Sequence, residues 1–185
     1  MRIIAGMARG RTFDAPQGLD TRPTLERVRE NVFNILQMKV RGAQVLDLFS
    51  GSGAMAFEAI SRGAASAVLV DVDRAANAVQ KRNAEKLRMA QQCRILHCDW
   101  QQAVRMLQAE GAHFDAVFLD PPYRMHDMTG VMAALKPILA EGAVILLEHE
   151  AKTFPATCDG YELYDSRKYG VAGVSFFRPW AQEVE

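Results

Sequence analysis

The apolar positions along the chain change their period from one segment to the next. Short runs rich in β-branched residues occur at Gln44–Phe49, Ala67–Asp71, Cys93–His97, Phe114–Asp120 and Ala143–Glu148. Between them, Gly53–Arg62, Arg74–Met89, Trp100–Glu110 and Asp127–Leu139 carry apolar residues at helical spacing with charged outer faces. Strand and helix in alternation predict βαβ units and a parallel sheet covered on both sides, because the strands themselves show no polar face. Gly63, Gly111 and Gly142 fall where helices are expected to stop. Ahead of this core, Val28, Val32, Phe33, Ile35 and Leu36 share one face of a helix predicted over 24–39, with Arg22-Pro23-Thr24 at its start. Residues 2–4 and 11–13 are expected to form a small hairpin. Tyr161–Asp165 and Val174–Arg178, bracketing Gly170 and Gly173, are expected to form a hairpin on the sheet edge. No repeat, linker or low-complexity tract interrupts the pattern. One domain over 1–185 is therefore expected, with 1–41 as an N-terminal hairpin and helix and 42–185 as the core.

Composition narrows the class. The chain is 49% hydrophobic and 24% charged, that of a globular domain large enough to bury a core without staples. No stretch of about 18 apolar residues lacks a charge, so no membrane span is expected. Met1–Gly6 runs into Arg9 and Arg11 without an apolar core, so no signal peptide is expected. Cys93, Cys98 and Cys158 are an odd set with no CxxC pair, and the four histidines (97, 113, 126, 149) lack ligand spacing. Neither disulfides nor a metal is expected, and a reducing cytoplasm is the natural setting. The zero net charge hides an asymmetry. Residues 1–41 carry eight basic against four acidic side chains, 42–165 eleven against sixteen, and 166–180 three basic and no acidic ones. Basic ends gathered on one face would attract phosphates, with Arg9, Arg11, Arg22, Arg29 and Lys168 as the candidate contacts.

Two turns carry the chemistry. Val45-Leu46-Asp47-Leu48-Phe49-Ser50-Gly51-Ser52-Gly53 leaves a strand on two glycines and enters a helix. Small residues there let backbone approach a ligand, and the helix start offers unpaired N–H groups. Gly51-x-Gly53-x-x-Ala56 alone also suits a dinucleotide-binding oxidoreductase. Asp47, inside the strand end, suits a cationic amino group and would repel a pyrophosphate. Asp71, closing the next strand, is placed for ribose hydroxyls. Asp99 fits either an adenine amino group or the N-cap of the helix that follows. The second turn is more specific. Phe118-Leu119-Asp120-Pro121-Pro122-Tyr123 places two prolines after a buried strand, stiffening it. The Asp120 carboxylate and the Pro121 carbonyl then become neighbouring fixed acceptors beside the ring of Tyr123. Such a pair can grip both hydrogens of an exocyclic base amine, whose delocalised lone pair makes it a poor nucleophile, and can stabilise the charge it develops on alkylation. The tyrosine would stack on a base turned out of its strand.

At these residues the chain resembles class I S-adenosylmethionine-dependent methyltransferases of the DPPY amino type. It is most similar to the bacterial family that methylates a guanine N2 amine in 16S ribosomal RNA. Arg2–Gly6, Gly10-Arg11, Val28-Arg29-Glu30, Phe33–Leu36, Glu58-Ala59, Ser61–Ala64 and Lys168-x-Gly170 extend the resemblance over nearly the whole chain. It implies a seven-stranded Rossmann-like sheet with an antiparallel C-terminal edge, S-adenosylmethionine as donor, and 16S rRNA, in an assembling or assembled small subunit, as partner of a monomeric enzyme. By position, Asp47, Phe49, Gly51 and Gly53 would line the methionine end of the donor, Asp71 its ribose and Asp99 its adenine. Asp120, Pro121, Pro122 and Tyr123 would hold the target base. Asp71 stands where the family more often has glutamate, and Val171-Ala172-Gly173 lacks polar residues. An adenine-N6 methyltransferase shares the tetrapeptide, but no reader domain lies between Gly53 and Asp120. An NAD-dependent oxidoreductase lacks its catalytic Lys, Tyr or His constellation, and a non-catalytic RNA-binding module would have no reason to keep the proline turn.

Overall fold

The structure is a computed structural model that describes residues 1–15, 23–122, 125, 127–154 and 156–180, the side chains of 23–25 excepted. Arg22, Tyr123 and His126 lie outside the described residues. The elements are α1 (Pro23–Ile35), α2 (Gln37–Val40), β1 (Gln44–Asp47), α3 (Ala54–Ser61), β2 (Ser66–Asp71), α4 (Arg74–Leu87), β3 (Cys93–His97), α5 (Trp100–Ala109), β4 (Phe114–Leu119), α6 (Thr129–Leu135), β5 (Leu139–Glu150), β6 (Tyr161–Tyr169) and β7 (Ala172–Pro179).

The strands form one seven-stranded sheet in the order β3-β2-β1-β4-β5-β7-β6. β1 to β5 run parallel, and β7 pairs antiparallel with both β5 and β6. The period of two explains why the central strands read as unbroken apolar runs. In β4, Ala116 and Phe118 pack on one face with Phe33 of α1, Phe57 of α3 and Leu87 of α4. Val117 and Leu119 pack on the other with Val104 and Leu107 of α5 and Val131 and Leu135 of α6. Phe118 and Phe33 meet edge to face with ring centres 5.6 Å apart. Both faces of the sheet are therefore core, as the continuous pattern requires. Among the described residues no helix is long and apolar enough to cross a membrane.

Three details depart from the sequence pattern. The first helix stops at Ile35 and a short α2 follows, with Leu36 between them at φ −83° and ψ 2°. The Leu36 carbonyl accepts from both Lys39 N and Val40 N, a tightened turn that buries Leu36 and Val40 together. The N-terminal hairpin is minimal: one antiparallel bridge, Arg2 to Thr12, is flanked by Ile3 N donating to the Arg11 carbonyl at 2.9 Å and Phe13 N to the Met1 carbonyl at 3.0 Å. The turn between its arms is bonded to α3: Met7 N donates to the Ser61 carbonyl at 2.8 Å and Ala8 N to Ser61 Oγ at 3.0 Å. Gly6 is indispensable there, since an added Cβ would lie 1.8 Å from the Ser61 carbonyl oxygen. Gly142 ends no helix; it lies within β5, at φ +70°, where the β4 pairing shifts register between Phe114 and Ala116. Gly63 and Gly111 do follow helix ends, both at positive φ. The C-terminal hairpin is longer than its apolar pattern, because the polar residues 166–169 of β6 continue the pairing out to Tyr169.

Candidate active site

β1, β2, β3 and β4 all end at one rim of the sheet, on either side of the point where strand order reverses, the usual place for a ligand crevice. The glycine loop from β1 to α3 is held from beneath. Ser50 Oγ donates to the Val70 carbonyl at 2.9 Å, and Gly53 N donates to the Ser50 carbonyl at 2.6 Å. A row of buried amides on α4, three residues apart, reaches the loop and its neighbours. Asn77 Nδ2 donates to the Asp71 and Asp73 carbonyls, Gln80 Nε2 to Ser50 Oγ and the Gly51 carbonyl, and Asn83 Nδ2 to the Ser52 carbonyl. Their spacing puts them on one helix face. Polar residues on a buried face were the available signal, and the charged outer face of α4 obscured it.

Gly51 and Gly53 have different work. Gly51, at φ +50°, has open space where a Cβ would stand, so its backbone faces a cavity. Gly53 points inward, where a Cβ would fall 2.5 Å from Phe57 Cε2 and 2.8 Å from Leu69 Cδ2. It lines no cavity. Close packing of α3 on β2 requires this glycine.

A cavity of about 450 Å³ opens above the strand ends and is lined by Phe49, Gly51, Asp71, Asp99 and Asp120, with Val72, Trp100 and Pro122 completing its walls. Val72 is 70% exposed, an apolar side chain left uncovered beside Trp100. The Asp71 carboxylate accepts from Gly51 N at 2.8 Å and Asp73 N at 2.9 Å, tying the loop to the end of β2. Asp99 caps α5 by accepting from Gln102 N at 2.8 Å and also lines the cavity. Asp47 lies one cavity over, in a space of about 210 Å³ that shares Phe49, Gly51 and Asp120 with the first. It is 3% exposed, and its carboxylate accepts from Ala56 N at 3.2 Å. Burial pushes the Asp47 carboxyl up to about 8, against the opposing Ala56 bond, and the charges of Asp120 and Asp71 add to the rise.

Asp120 is the one described residue common to three cavities: these two and a third of about 270 Å³ behind Pro121, Pro122 and Met128. One side of Asp120 is open to solvent, while the wall behind its carboxyl raises it to about 6 by desolvation. Glu148, two residues before the end of β5, stands beside it. Burial, then the charge of Asp120, pushes Glu148 up to about 8. No motif marked Glu148; the parallel register of β4 with β5 brings it to Asp120. A rim of acids held above their ordinary range is a site short of positive charge, and a cationic ligand bound there would restore their ionised forms. The open Gly51 face, the bonded Asp71 carboxylate and the Val72–Trp100 wall fit a nucleoside carrying a cationic side chain. They do not fit a pyrophosphate.

The basic candidates separate. Arg9 and Arg11 are exposed on the N-terminal arm, and Arg11 Nη1 donates to the Leu87 carbonyl at 3.3 Å. Lys168 is exposed on β6 near the hairpin turn. Arg29 is not a surface contact: it is 5% exposed, its Nη2 donates to the Arg2 carbonyl at 2.6 Å, and it pairs with fully buried Glu58 at 3.6 Å.

Comparison with known proteins agrees with this geometry. The model of the family described as conserved hypothetical protein 95 matches residues 1–178. Ribosomal RNA small subunit methyltransferase D of Escherichia coli strain K12 is 35% identical over 188 residues, covering 100% of this chain and 91% of its own. The Haemophilus influenzae protein of the same name is 29% identical over 96% of this chain and 93% of its own. The solved structure of yhhF from Escherichia coli superposes with a TM-score of 0.86 at 32% identity, covering 98% and 99% of the two chains. Matched by the family model over residues 1–178, the chain belongs to the conserved hypothetical protein 95 family, that of ribosomal RNA small subunit methyltransferase D.

Proposed function

We propose that the protein transfers a methyl group from S-adenosylmethionine to the exocyclic N2 amine of a guanine in small-subunit (16S) ribosomal RNA. The single observation that carries this is the position of Asp120. It ends β4 on a two-proline turn and lies at the meeting point of the cavity suited to the donor and the two that flank it. The donor supplies an electrophilic methyl on a sulfonium. Asp71 would accept from its ribose hydroxyls, the Val72–Trp100 wall and Asp99 would take its adenine, and Asp47 would hold its ammonium group. These roles fit the open face at Gly51 and the raised carboxyl of Asp47, which a cation would ionise.

The chain's own part in the reaction follows from the acceptors. The Asp120 carboxylate and the Pro121 carbonyl each take one N–H of the amine, favouring a pyramidal nitrogen with its lone pair free. As the nitrogen bonds to carbon it gains positive charge, which these oxygens stabilise. The amine then sheds a proton to Asp120 or to water, without a strong base. Tyr123 would stack on the splayed base, and Arg9, Arg11 and Lys168 would meet phosphates. The length between β1 and β4 leaves no reader domain. We therefore read the substrate as RNA pre-shaped by an assembling or assembled subunit, met in the cytoplasm by a single-domain monomer.

The test is incubation with methyl-labelled S-adenosylmethionine and three acceptors: naked rRNA, unmethylated small subunits, and duplex DNA. N2-methylguanosine in rRNA from one of the first two is expected. N6-methyladenine, or label in the duplex alone, would select the adenine reading instead.

A further inference from the structure

Two acids stand side by side at the rim of the sheet, Asp120 just past β4 and Glu148 still within β5. Parallel pairing sets Leu119 against Leu147, so Asp120 and Glu148 are the next residues out on neighbouring strands, which run roughly 5 Å apart. The transfer chemistry uses Asp120 and leaves Glu148 idle. Yet Asp120 and Glu148 are the two described residues that line both cavities flanking the corner, the one behind Pro121 and the one beside Phe49 and Met55. Surface acids of the same chain are saturated: Glu162 and Glu110 each hold an arginine through both oxygens. Among the described residues none bonds the Glu148 carboxyl, although the group is half-buried. Its proton is held to about 8 by burial and by Asp120. An acid kept in a cleft without a partner is available to a ligand donor.

The bases differ at that position. With its N2 amine at Asp120, guanine presents the ring N1–H as the adjoining group, a donor. With its N6 amine there, adenine presents the N1 lone pair, an acceptor. A carboxylate beside Asp120 therefore accepts from one base and repels the other. We propose that Glu148 is a specificity-determining residue, whose carboxylate accepts the N1–H of the target guanine and turns away bases with a lone pair at that atom. An arriving N–H donor itself favours the ionised form of the acid. This inference rests on the methyltransferase reading above.

The experiment uses a synthetic rRNA fragment, or subunits rebuilt on it, with the mapped target as guanine or as 2-aminopurine. The second base keeps the same amine but has a lone pair at N1. Assayed above pH 8, where the Glu148 carboxyl is ionised, wild-type protein is expected to favour guanine by about 10- to 100-fold in kcat/KM, the worth of one hydrogen bond to a charged group. In Glu148→Gln, whose amide can turn its NH2 toward a lone pair, the ratio should approach one. Calorimetric donor binding and an unchanged Tm certify that the variant is folded. Equal use of both bases by wild type overturns the proposal without any variant, and so does a wild-type ratio retained in Glu148→Gln. A wild type that methylates neither RNA overturns the methyltransferase reading, and this inference with it.

Discussion

Two sets of desolvated acids in this molecule are treated in opposite ways. Glu58, on α3, is 0% exposed and surrounded by donors: Ile4 N at 2.8 Å, Ala5 N at 3.0 Å, Arg62 Nε at 2.8 Å and Arg29 Nε at 3.6 Å. It stitches the N-terminal arm and α1 onto α3. Asp47, Asp120 and Glu148, at the strand ends, are desolvated with little in return. Asp47 has one backbone bond, and its carboxyl and that of Glu148 stand near 8. Desolvation of a carboxyl is tolerated in both places. Only in the first does the protein itself supply the counter-charge; in the second it is left for a ligand to supply.

The largest effect should come from the corner. Asp120→Ala is expected to reduce methyl transfer by at least roughly a hundredfold, in line with loss of a charge-stabilising group, while donor affinity moves little. Single-turnover transfer and calorimetry separate the two; lost affinity with normal transfer would put Asp120 in the donor site instead. Next comes Glu58→Gln, which strands Arg29 and Arg62. Breaking a buried pair costs about 3–5 kcal/mol, hence a Tm lower by roughly 10 °C, whereas Glu148→Gln should leave Tm unchanged or raise it. Equal losses in thermal melts would erase the distinction between the two sets.

The pH predictions are smaller. Transfer needs ionised Asp120, so its rate should fall as pH drops through about 6, and Asp120→Asn should lack that acid limb. For stability, the folded carboxyl of Asp47 lies near 8 against an ordinary 3.8 when unfolded. Between those values the folded state binds more protons, so donor-free stability falls as pH rises from about 4 to 8 and then levels. Asp47→Asn should flatten that slope in melts followed against pH, and it should flatten the matching rise of donor affinity. Smallest is the arm: Arg9 and Arg11 changed to Glu should weaken RNA binding and reduce its dependence on salt by about one to two ions. An unchanged slope would remove the arm from the RNA face.

The sheet was legible because both of its faces are buried, so every central strand shows as an apolar run. The glycine loop and proline corner were legible because turns need particular residues. Glu148 was not, since it ends an ordinary apolar run and gains meaning only from the register that sets β5 beside β4. Arg29 misled for the converse reason. A cation in a basic stretch looks like surface, and its burial depends on Glu58, 29 residues away in sequence. Gly53 and Gly51 look alike in the motif, yet one packs a helix and the other faces the cavity.

The central claim is best tested by a crystal structure with S-adenosylhomocysteine, the spent donor. The account predicts its ribose on Asp71, its amino group toward Asp47, and its sulfur facing the Asp120–Pro121 acceptors. A sulfur turned away from that corner, or a ligand bound elsewhere with the cavity beside Gly51 empty, would contradict it.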